Sequence, residues 1–127
     1  MSRAVADTSV FIAREAGRAL GTLPDEIAVS VVTAAELELG VLRASDPGVR
    51  ATRVRTLARV RSEHPLLTID DQTASCFARL ADEQLRAGRK PRRHDTWIAA
   101  TALRHGAAVV TQDRDFTPFT SIEVVQV

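Results

Sequence analysis

The stretch that decides the fold is RAVADTSVFI, residues 3–12. It opens with a short apolar run that predicts a buried β-strand, and the strand ends at an acidic residue, Asp7. Thr8 and Ser9 follow directly, and their hydroxyl groups are suited to cap a helix that continues through residues 10–12. A strand that passes straight into a helix is typical of α/β proteins, and here it places a carboxylate at the carboxyl end of the strand.

The rest of the chain repeats this order. Short apolar runs predict further strands at 27–32, 66–69, 107–111 and 122–127, and helical patterns predict further helices at 33–44, 49–62, 72–86 and 95–105. The strands are separated by helices and lack clean apolar/polar alternation, which favours parallel strands covered on both faces. We therefore predict a single domain over 1–127, of the α/β class. Its expected form is a three-layer α/β/α sandwich with a mainly parallel sheet of about five strands.

Composition limits the classes of protein to consider. The 127 residues are 45% hydrophobic and 26% charged, which is ordinary for a globular domain with its own core. The formal net charge of +1 does not indicate a nucleic-acid partner, and the single cysteine, Cys76, excludes an intrachain disulfide and a cysteine zinc site. The beginning of the chain lacks the apolar run of a secretory signal, and no segment approaches the roughly 20 apolar residues that cross a bilayer. We predict a soluble, cytoplasmic protein without a membrane segment.

Four acidic residues lie where a parallel sheet usually carries its site. Asp7 ends the first strand and Asp113 follows the fourth, while Glu36 lies in the first turn of the helix after the second strand. Sites in open parallel sheets form beyond the carboxyl ends of the strands, so these three carboxylates are expected at one edge. Asp95 begins the helix before the fourth strand, and it joins them only if the 88–94 loop brings that helix to the same edge.

Each acid also has a purely structural explanation. Asp7 and Asp95 suit helix N-caps, residues 33–36 have the pattern of a capping box, and Asp113 with Asp115 is typical of a turn. Several carboxylates converging on one edge, however, repel one another, and a divalent cation relieves that repulsion. Oxygen ligands without cysteine favour Mg²⁺ or Mn²⁺, which can activate water and stabilise the leaving oxygen in phosphodiester hydrolysis.

Four segments carry a resemblance to a known family. In order they are VADTSVFI (5–12), TAAELELGVL (33–42), DTWIAATALRHG (95–106) and VVTQDRDF (109–116). Their order and spacing resemble the PIN-domain nucleases, and within these the VapC-type toxins of bacterial toxin–antitoxin pairs. The resemblance runs over nearly the whole chain. Matched segment by segment, the acids of the family fall on Asp7, Glu36, Asp95 and Asp113, with Asp115 as the second choice for the last.

The resemblance implies an activity, a cofactor and partners. It implies an endoribonuclease that requires Mg²⁺, with Mn²⁺ as a substitute, and that blocks translation by cleaving structured RNA such as tRNA or ribosomal RNA. It also implies a homodimer and a larger assembly with a VapB-type antitoxin, whose C-terminal tail fills the acidic pocket. Neither the particular RNA and its cleavage position nor the number of metal ions follows from it.

Polar and basic residues next to the acids are candidates for supporting roles. Thr8, Ser9 and Thr111 are expected to orient metal ligands or to contact phosphate; capping and strand-end hydrogen bonding are the alternative. An acidic pocket repels phosphate, so a basic rim is needed to bind RNA. We assign that rim to the residues just before Asp95, namely Arg89, Lys90, Arg92, Arg93 and His94. The arginines of the 49–62 helix spread around it and favour a solvated or partner-binding surface.

Two other classes of function are compatible with an α/β sheet of this kind. A non-catalytic interaction module would have the same fold and act only by binding a partner, but the presence of all four acids argues against it. A phosphoacceptor signalling domain also places acids at strand ends. It needs adjacent acids near the first strand and a lysine at a late strand end, whereas Asp7 stands alone and Lys90, the only lysine, lies in the 88–94 loop.

Overall fold

The structure, a computed structural model that describes residues 3–127, is built on one five-stranded sheet. All strand pairs are parallel, and the strand order is β3-β2-β1-β4-β5. The strands are β1 (Arg3–Ala6), β2 (Glu26–Ser30), β3 (Leu66–Leu67), β4 (Ala108–Thr111) and β5 (Val124–Gln126). The predicted five-stranded parallel sheet is confirmed. The predicted domain range 1–127 includes residues 1 and 2, which lie outside the described residues.

Five helices cover the two faces of the sheet. They are α1 (Thr8–Glu15), α2 (Val31–Arg43), α3 (Pro47–Glu63), α4 (Asp71–Arg86) and α5 (Arg93–Arg104). One hydrophobic core joins the sheet to α1, α2 and α3, and a second joins its other face to α4 and α5. This is the predicted three-layer α/β/α sandwich. None of the helices within residues 3–127 is long and apolar enough to span a membrane.

Strand β1 lies at the centre of the sheet and contributes to both cores. Ala4 and Ala6 pack into the α1–α3 core, while Val5 packs into the α4–α5 core, and none of the three has any exposed surface. Alternate residues of a strand point to opposite faces, so a central strand covered by helices on both sides has to be apolar throughout. The backbone N–H of Asp7 donates to the carbonyl of Val110 at 2.9 Å and continues the β1–β4 ladder past the end of β1.

The order of connections opens a crevice at the carboxyl edge of the sheet. From β1 the chain continues to β2 on one side, whereas from β4 it continues to β5 on the opposite side. Connections that diverge from two neighbouring strands leave the space beyond their carboxyl ends uncovered, and ligands of open α/β sheets bind there. Asp7 follows β1 and Asp113 follows β4, so both border this space.

Helix α2 begins two residues earlier than the sequence pattern predicts. Its first residue is Val31, and the Ser30 side chain caps it by accepting a hydrogen bond from the Val32 N–H at 3.1 Å. The predicted capping box over 33–36 is therefore wrong, and Glu36 lies in the second turn of the helix rather than the first. The β-branched pair at 31–32 resembles a strand, but the N-cap and the packing of Val32 on the α4–α5 core outweigh this weak local preference.

Two other helices also begin before their predicted positions. Helix α3 begins at Pro47 because Asp46 caps it, accepting from the Val49 N–H at 2.9 Å, and proline suits the first helical position. Helix α5 begins at Arg93, so Asp95 is its third residue and not its N-cap. The N-cap alternative for Asp95 is therefore wrong.

The cap of α2 is testable by mutation. Ser30→Ala should lower the free energy of unfolding by about 1 kcal/mol, because the N–H at the start of α2 loses its side-chain acceptor. Urea denaturation monitored by circular dichroism measures this. Ser75→Ala, at an exposed serine of α4, is the control and should change stability little. Equal stability of the Ser30→Ala variant and the unmodified protein would contradict the capping assignment.

Candidate active site

A cleft of about 510 Å³ lies at the carboxyl edge of the sheet, and all four predicted acids line it. Its lining comprises Asp7, Thr8, Ser9, Ile12, Glu36, Arg92, Arg93, His94, Asp95 and Asp113. The structure thus brings together acids that follow β1 and β4 with acids from α2 and α5. Asp95 reaches the same edge because α4 and α5 form a helical hairpin that points the start of α5 towards it.

Asp7 is held by two hydroxyl groups. Ser9 Oγ donates to its Oδ2 at 2.6 Å, and Thr111 Oγ1 donates to the same oxygen at 2.8 Å. Asp7 occupies the N-cap position of α1, yet its side chain makes no capping hydrogen bond. Each hydroxyl also accepts a backbone N–H, from Gln112 at 2.9 Å and from Asp113 at 3.0 Å, and the two hydroxyl oxygens lie 3.1 Å apart.

The surroundings of Asp7 disfavour its charged form. Burial raises the pKa of Asp7 above its ordinary value, and the negative charge of Asp95 adds to the increase. The hydrogen bonds from Ser9 and Thr111 act in the opposite direction but do not cancel the effect of burial. An ionised Asp7 is therefore held at a cost in folding free energy, which a nearby positive charge would offset.

Glu36 reaches the cleft from the second turn of α2. Thr8 Oγ1 donates to Glu36 Oε1 at 2.9 Å, and the same hydroxyl lies 3.1 Å from Oγ1 of the fully buried Thr33. On the other side, His94 Nδ1 lies 3.5 Å from Glu36 Oε2. Thr33 therefore contacts the Thr8 hydroxyl instead of capping a helix. The capping-box pattern paired Thr33 with Glu36, whereas in the structure both side chains contact Thr8.

The pKa of Glu36 is also raised, and its causes show that the acids influence one another. Burial is the largest cause; the negative charges of Asp7 and Asp95 raise the pKa further, while the Thr8 hydrogen bond and His94 lower it. Three carboxylates from three different elements thus lie close enough to repel one another. Local capping explains none of these contacts.

Asp95 is held by a residue that sequence reasoning missed. The backbone N–H and the hydroxyl of Thr117 both donate to Asp95 Oδ2, at 3.0 Å and 2.9 Å, and Arg92 Nη1 lies 3.7 Å from the same oxygen. Thr117 is buried in the loop after β4, between the buried side chains of Phe116 and Phe119. A threonine between two phenylalanines is a weak signal, and only the folded loop shows what its hydroxyl contacts.

The structure distinguishes the two candidates for the fourth acid. Asp113 is half-buried and lines the cleft, whereas Asp115 is exposed and does not. The Asp115 N–H donates to Asp113 Oδ1 at 2.8 Å, so the turn interpretation of this pair is also correct. A carboxylate can make this turn contact with one oxygen and still present the other to a ligand.

The predicted basic rim is only partly at the cleft. Arg92, Arg93 and His94 line it with exposed side chains. Arg89 and Lys90 are exposed but do not line it, and Arg89 instead donates to the Pro118 carbonyl at 3.4 Å. The difference arises because α5 starts at residue 93, so the preceding loop turns away from the cleft towards the segment after β4.

The acids are compatible with an open metal site, though not with a closed cage. Within residues 3–127, no group of three or more histidine, cysteine or acidic side chains is arranged to hold a metal ion as it stands. Mg²⁺ usually keeps several water ligands and is bound by one or two carboxylates together with substrate phosphate. The carboxylates of Asp7, Glu36 and Asp95 are all-oxygen donors, and Asp7 and Glu36 are destabilised as anions by burial and by neighbouring negative charge, so the group fits this kind of site.

Comparison with known proteins shows the family. The sequence model of the PIN-domain family matches residues 4–119. The chain belongs to the PIN-domain family. Its relatives include Ribonuclease VapC5 of Mycobacterium tuberculosis, 44% identical over 97% of this chain and 94% of the relative, and Ribonuclease VapC4 of the same organism, 42% identical over 98% and 97%. The resemblance to VapC-type proteins is thereby confirmed.

A solved structure agrees with the fold of this PIN domain. The crystal structure of VapBC-5 from M. tuberculosis, described as a member of the VapBC family of toxin–antitoxin systems, superposes with a TM-score of 0.87 and 41% identity. The match covers 100% of both chains. The sheet and the helices described above therefore match a known architecture.

The raised pKa of Asp7 predicts how stability depends on pH in the absence of divalent cations. A carboxyl group whose pKa is raised by folding binds more protons when folded, so its contribution to stability is present below the unfolded pKa, near 4, and is lost as pH rises through the folded pKa. Asp7→Asn should remove this loss while keeping the Ser9 and Thr111 hydrogen bonds through the amide oxygen.

The measurement is the difference in unfolding free energy between the unmodified protein and Asp7→Asn, from urea denaturation in EDTA between pH 4 and pH 7. The comparison with the variant is needed because Asp70, Glu63 and Glu83 have lowered pKa values. These three groups make the folded state more stable as pH rises, and they do so equally in both proteins. The variant should become relatively more stable as pH rises. A variant that becomes relatively less stable would mean that the hydrogen bonds, rather than burial, dominate at Asp7.

Proposed function

We propose that this PIN domain is a Mg²⁺-dependent endoribonuclease, with Mn²⁺ as a substitute, and the toxin of a VapBC-type pair that cleaves structured RNA such as tRNA or ribosomal RNA. The observation that carries the proposal is the convergence of Asp7, Glu36 and Asp95 on one cleft, where burial and the neighbouring negative charges disfavour the charged forms of Asp7 and Glu36. The naming of its relatives as ribonucleases supports the same activity.

The four acids would hold the metal, and the surrounding hydroxyls would keep them in place. A bound Mg²⁺ would supply Lewis acidity and an activated water for hydrolysis of the phosphodiester. Asp7 and Asp95 are each fixed by two hydrogen bonds, so they need little rearrangement to serve as ligands. Glu36 and the half-buried Asp113 complete the acidic lining of the cleft.

The basic side chains at the rim would bring RNA to this acidic surface. Arg92, Arg93 and His94 are exposed and line the cleft on the side of α5. The charge of the two arginines offsets the repulsion between phosphate and the carboxylates, and arginine can bind phosphate through two hydrogen bonds at once. Arg89 and Lys90 would extend the basic surface beyond the cleft, where a structured RNA has further phosphates to contact.

A narrower groove beside the cleft is a suitable place for the antitoxin. The groove has a volume of about 220 Å³ and is lined by Thr8, Ile12, Glu15, Glu36, Leu37, Gly40 and Arg53. Three of these residues, Thr8, Ile12 and Glu36, also line the cleft. A VapB-type tail lying in the groove would therefore reach the acidic site directly, and the description of VapBC-5 as part of a toxin–antitoxin system supports such a partner.

The distribution of exposed apolar residues also supports an antitoxin-binding surface on this side of the molecule. Five of the seven large apolar residues that are exposed within residues 3–127 belong to α1, α2 and α3: Ile12, Leu39, Leu42, Val49 and Val54. Exposed apolar surface grouped on neighbouring elements is typical of a protein-binding surface. The homodimer remains a prediction from the family resemblance, and the cytoplasmic location remains a prediction from the sequence.

RNA cleavage tests the catalytic proposal. Asp7→Asn, Asp95→Asn and Asp113→Asn should each lower the rate of RNA cleavage by more than about 100-fold, because each removes a negatively charged metal ligand. The assay is digestion of total cellular RNA by purified, antitoxin-free protein with Mg²⁺, with Mn²⁺ or with EDTA. Asp115→Asn is the matched control, since Asp115 is exposed outside the cleft, and it should retain activity.

The outcomes separate the proposal from its alternative. Discrete fragments that require a divalent cation and are absent with Asp7→Asn support the nuclease. Cleavage that continues in EDTA would show that metal is not needed. An unmodified protein that is folded, free of antitoxin and inactive with both cations would favour the non-catalytic interaction module.

Gly40 offers a test of the antitoxin groove. A Cβ atom at this position meets only Arg53 Cδ, at 3.9 Å, so a side chain can be added without a clash. Gly40→Gln should weaken co-purification with the VapB-type protein by occupying the groove. Gly40→Ala should keep the complex and stabilise α2 by about 1 kcal/mol through its better helix propensity. Equal binding by both variants would place the antitoxin elsewhere.

A further inference from the structure

The side chains that hold Asp7 and Asp95 all donate to the same oxygen, Oδ2, of each carboxylate. For Asp7, Ser9 and Thr111 both donate to Oδ2, at 2.6 Å and 2.8 Å. For Asp95, the N–H and hydroxyl of Thr117 both donate to Oδ2, at 3.0 Å and 2.9 Å. A carboxylate oxygen has two lone pairs, so two donors use the accepting capacity of Oδ2. In neither residue does a side-chain hydroxyl within residues 3–127 donate to Oδ1.

We propose that Ser9, Thr111 and Thr117 are positioning residues that leave each carboxylate a single oxygen for coordination, and that this one-sided arrangement makes the site select Mg²⁺ or Mn²⁺ over Ca²⁺. The inference rests on the metal dependence proposed above. Mg²⁺ is small and requires near-octahedral geometry, which carboxylates binding through one oxygen satisfy. Ca²⁺ takes six to eight ligands and readily binds both oxygens of one carboxylate.

The Asp7 donors have fixed directions. Ser9 Oγ accepts the Gln112 N–H at 2.9 Å, and Thr111 Oγ1 accepts the Asp113 N–H at 3.0 Å. These two backbone donors hold each hydroxyl oxygen in place beside the carboxylate. The backbone after β4 therefore fixes which oxygen of Asp7 is used for hydrogen bonding.

Thr117 is fixed by its loop. The loop is tied to α4, since Gln84 Nε2 donates to the Pro118 carbonyl at 3.2 Å and the Thr120 N–H donates to Glu83 Oε2 at 2.9 Å. Gln84 and Thr117 are both buried, whereas the Thr120–Glu83 hydrogen bond lies at the surface. If the carboxylate held by Thr117 rotated, the loop could not follow without breaking contacts on α4. The arrangement on this side of the cleft is therefore rigid.

Removing one donor should change the preference among cations. Thr117→Val keeps the shape of the side chain and the backbone N–H but frees one lone pair of Asp95 Oδ2. Mg²⁺ then loses a well-oriented ligand, and a loss of positioning of this kind typically costs 10- to 100-fold in metal affinity. Ca²⁺ can use the freed oxygen, so its affinity should be unchanged or increased.

The experiment is isothermal titration calorimetry of the full chain, free of antitoxin, with Mg²⁺, Mn²⁺ and Ca²⁺. In Thr117→Val the ratio of the Ca²⁺ to the Mg²⁺ dissociation constant should fall by about tenfold, and Thr117→Ser should restore it. Thr101→Val is the matched control. Thr101 is fully buried, and its hydroxyl donates to the Trp97 carbonyl at 2.9 Å and contacts no acid of the cleft.

Each outcome decides the matter. A ratio that falls in Thr117→Val alone supports the proposal. If the Mg²⁺ and Ca²⁺ affinities fall together, if neither changes, or if Thr101→Val has the same effect, the role of Thr117 is only structural and the proposal is wrong. If the unmodified protein binds none of the three cations, the proposed metal dependence fails and this inference fails with it, a result distinct from the other three.

Discussion

The hydrogen-bonded contact between Asp7, Ser9 and Thr111 is the interaction on which the site depends. It joins the end of β1, the start of α1 and the end of β4, at the point where the connections of the sheet diverge. The carboxylate is buried there because β1 is the central strand and both faces of the sheet are covered. Asp113 is linked to this group as well, because its backbone N–H donates to Thr111 Oγ1.

The two hydrophobic cores stabilise the fold and so compensate for the repulsion among the carboxylates of the cleft. Apolar side chains pack on both faces of the sheet, and the ionisable residues that repel one another are confined to its carboxyl edge. Raised pKa values at Asp7 and Glu36 show that the folded chain holds these groups against their preference for water. Groups perturbed in this way, gathered in a cleft, are typical of functional sites rather than of structural ones.

The apolar pattern of the sequence predicted the buried strands correctly, whereas the capping-box pattern at 33–36 predicted the wrong start for α2. Apolar runs predicted the five strands, and the position of Asp7 after the first of them predicted the edge that carries the site. The expected capping box over 33–36 was wrong because Ser30, not Thr33, caps α2, which leaves Thr33 to support Thr8 and Glu36 to face the cleft. Capping patterns are short and common, so a side chain with a better tertiary partner easily overrides them.

Local sequence by itself determined the α/β class, the order of elements and a set of candidate acids, because strand and helix periodicity and strand-end acids are properties of neighbouring residues. Only the tertiary structure decided that Asp95 joins the other acids, that Asp113 rather than Asp115 lines the cleft, and that Thr117 holds Asp95. These facts depend on the α4–α5 hairpin and on the path of the loop after β4. Contacts between residues so distant in sequence are set by the packing of whole elements, and no short motif encodes them.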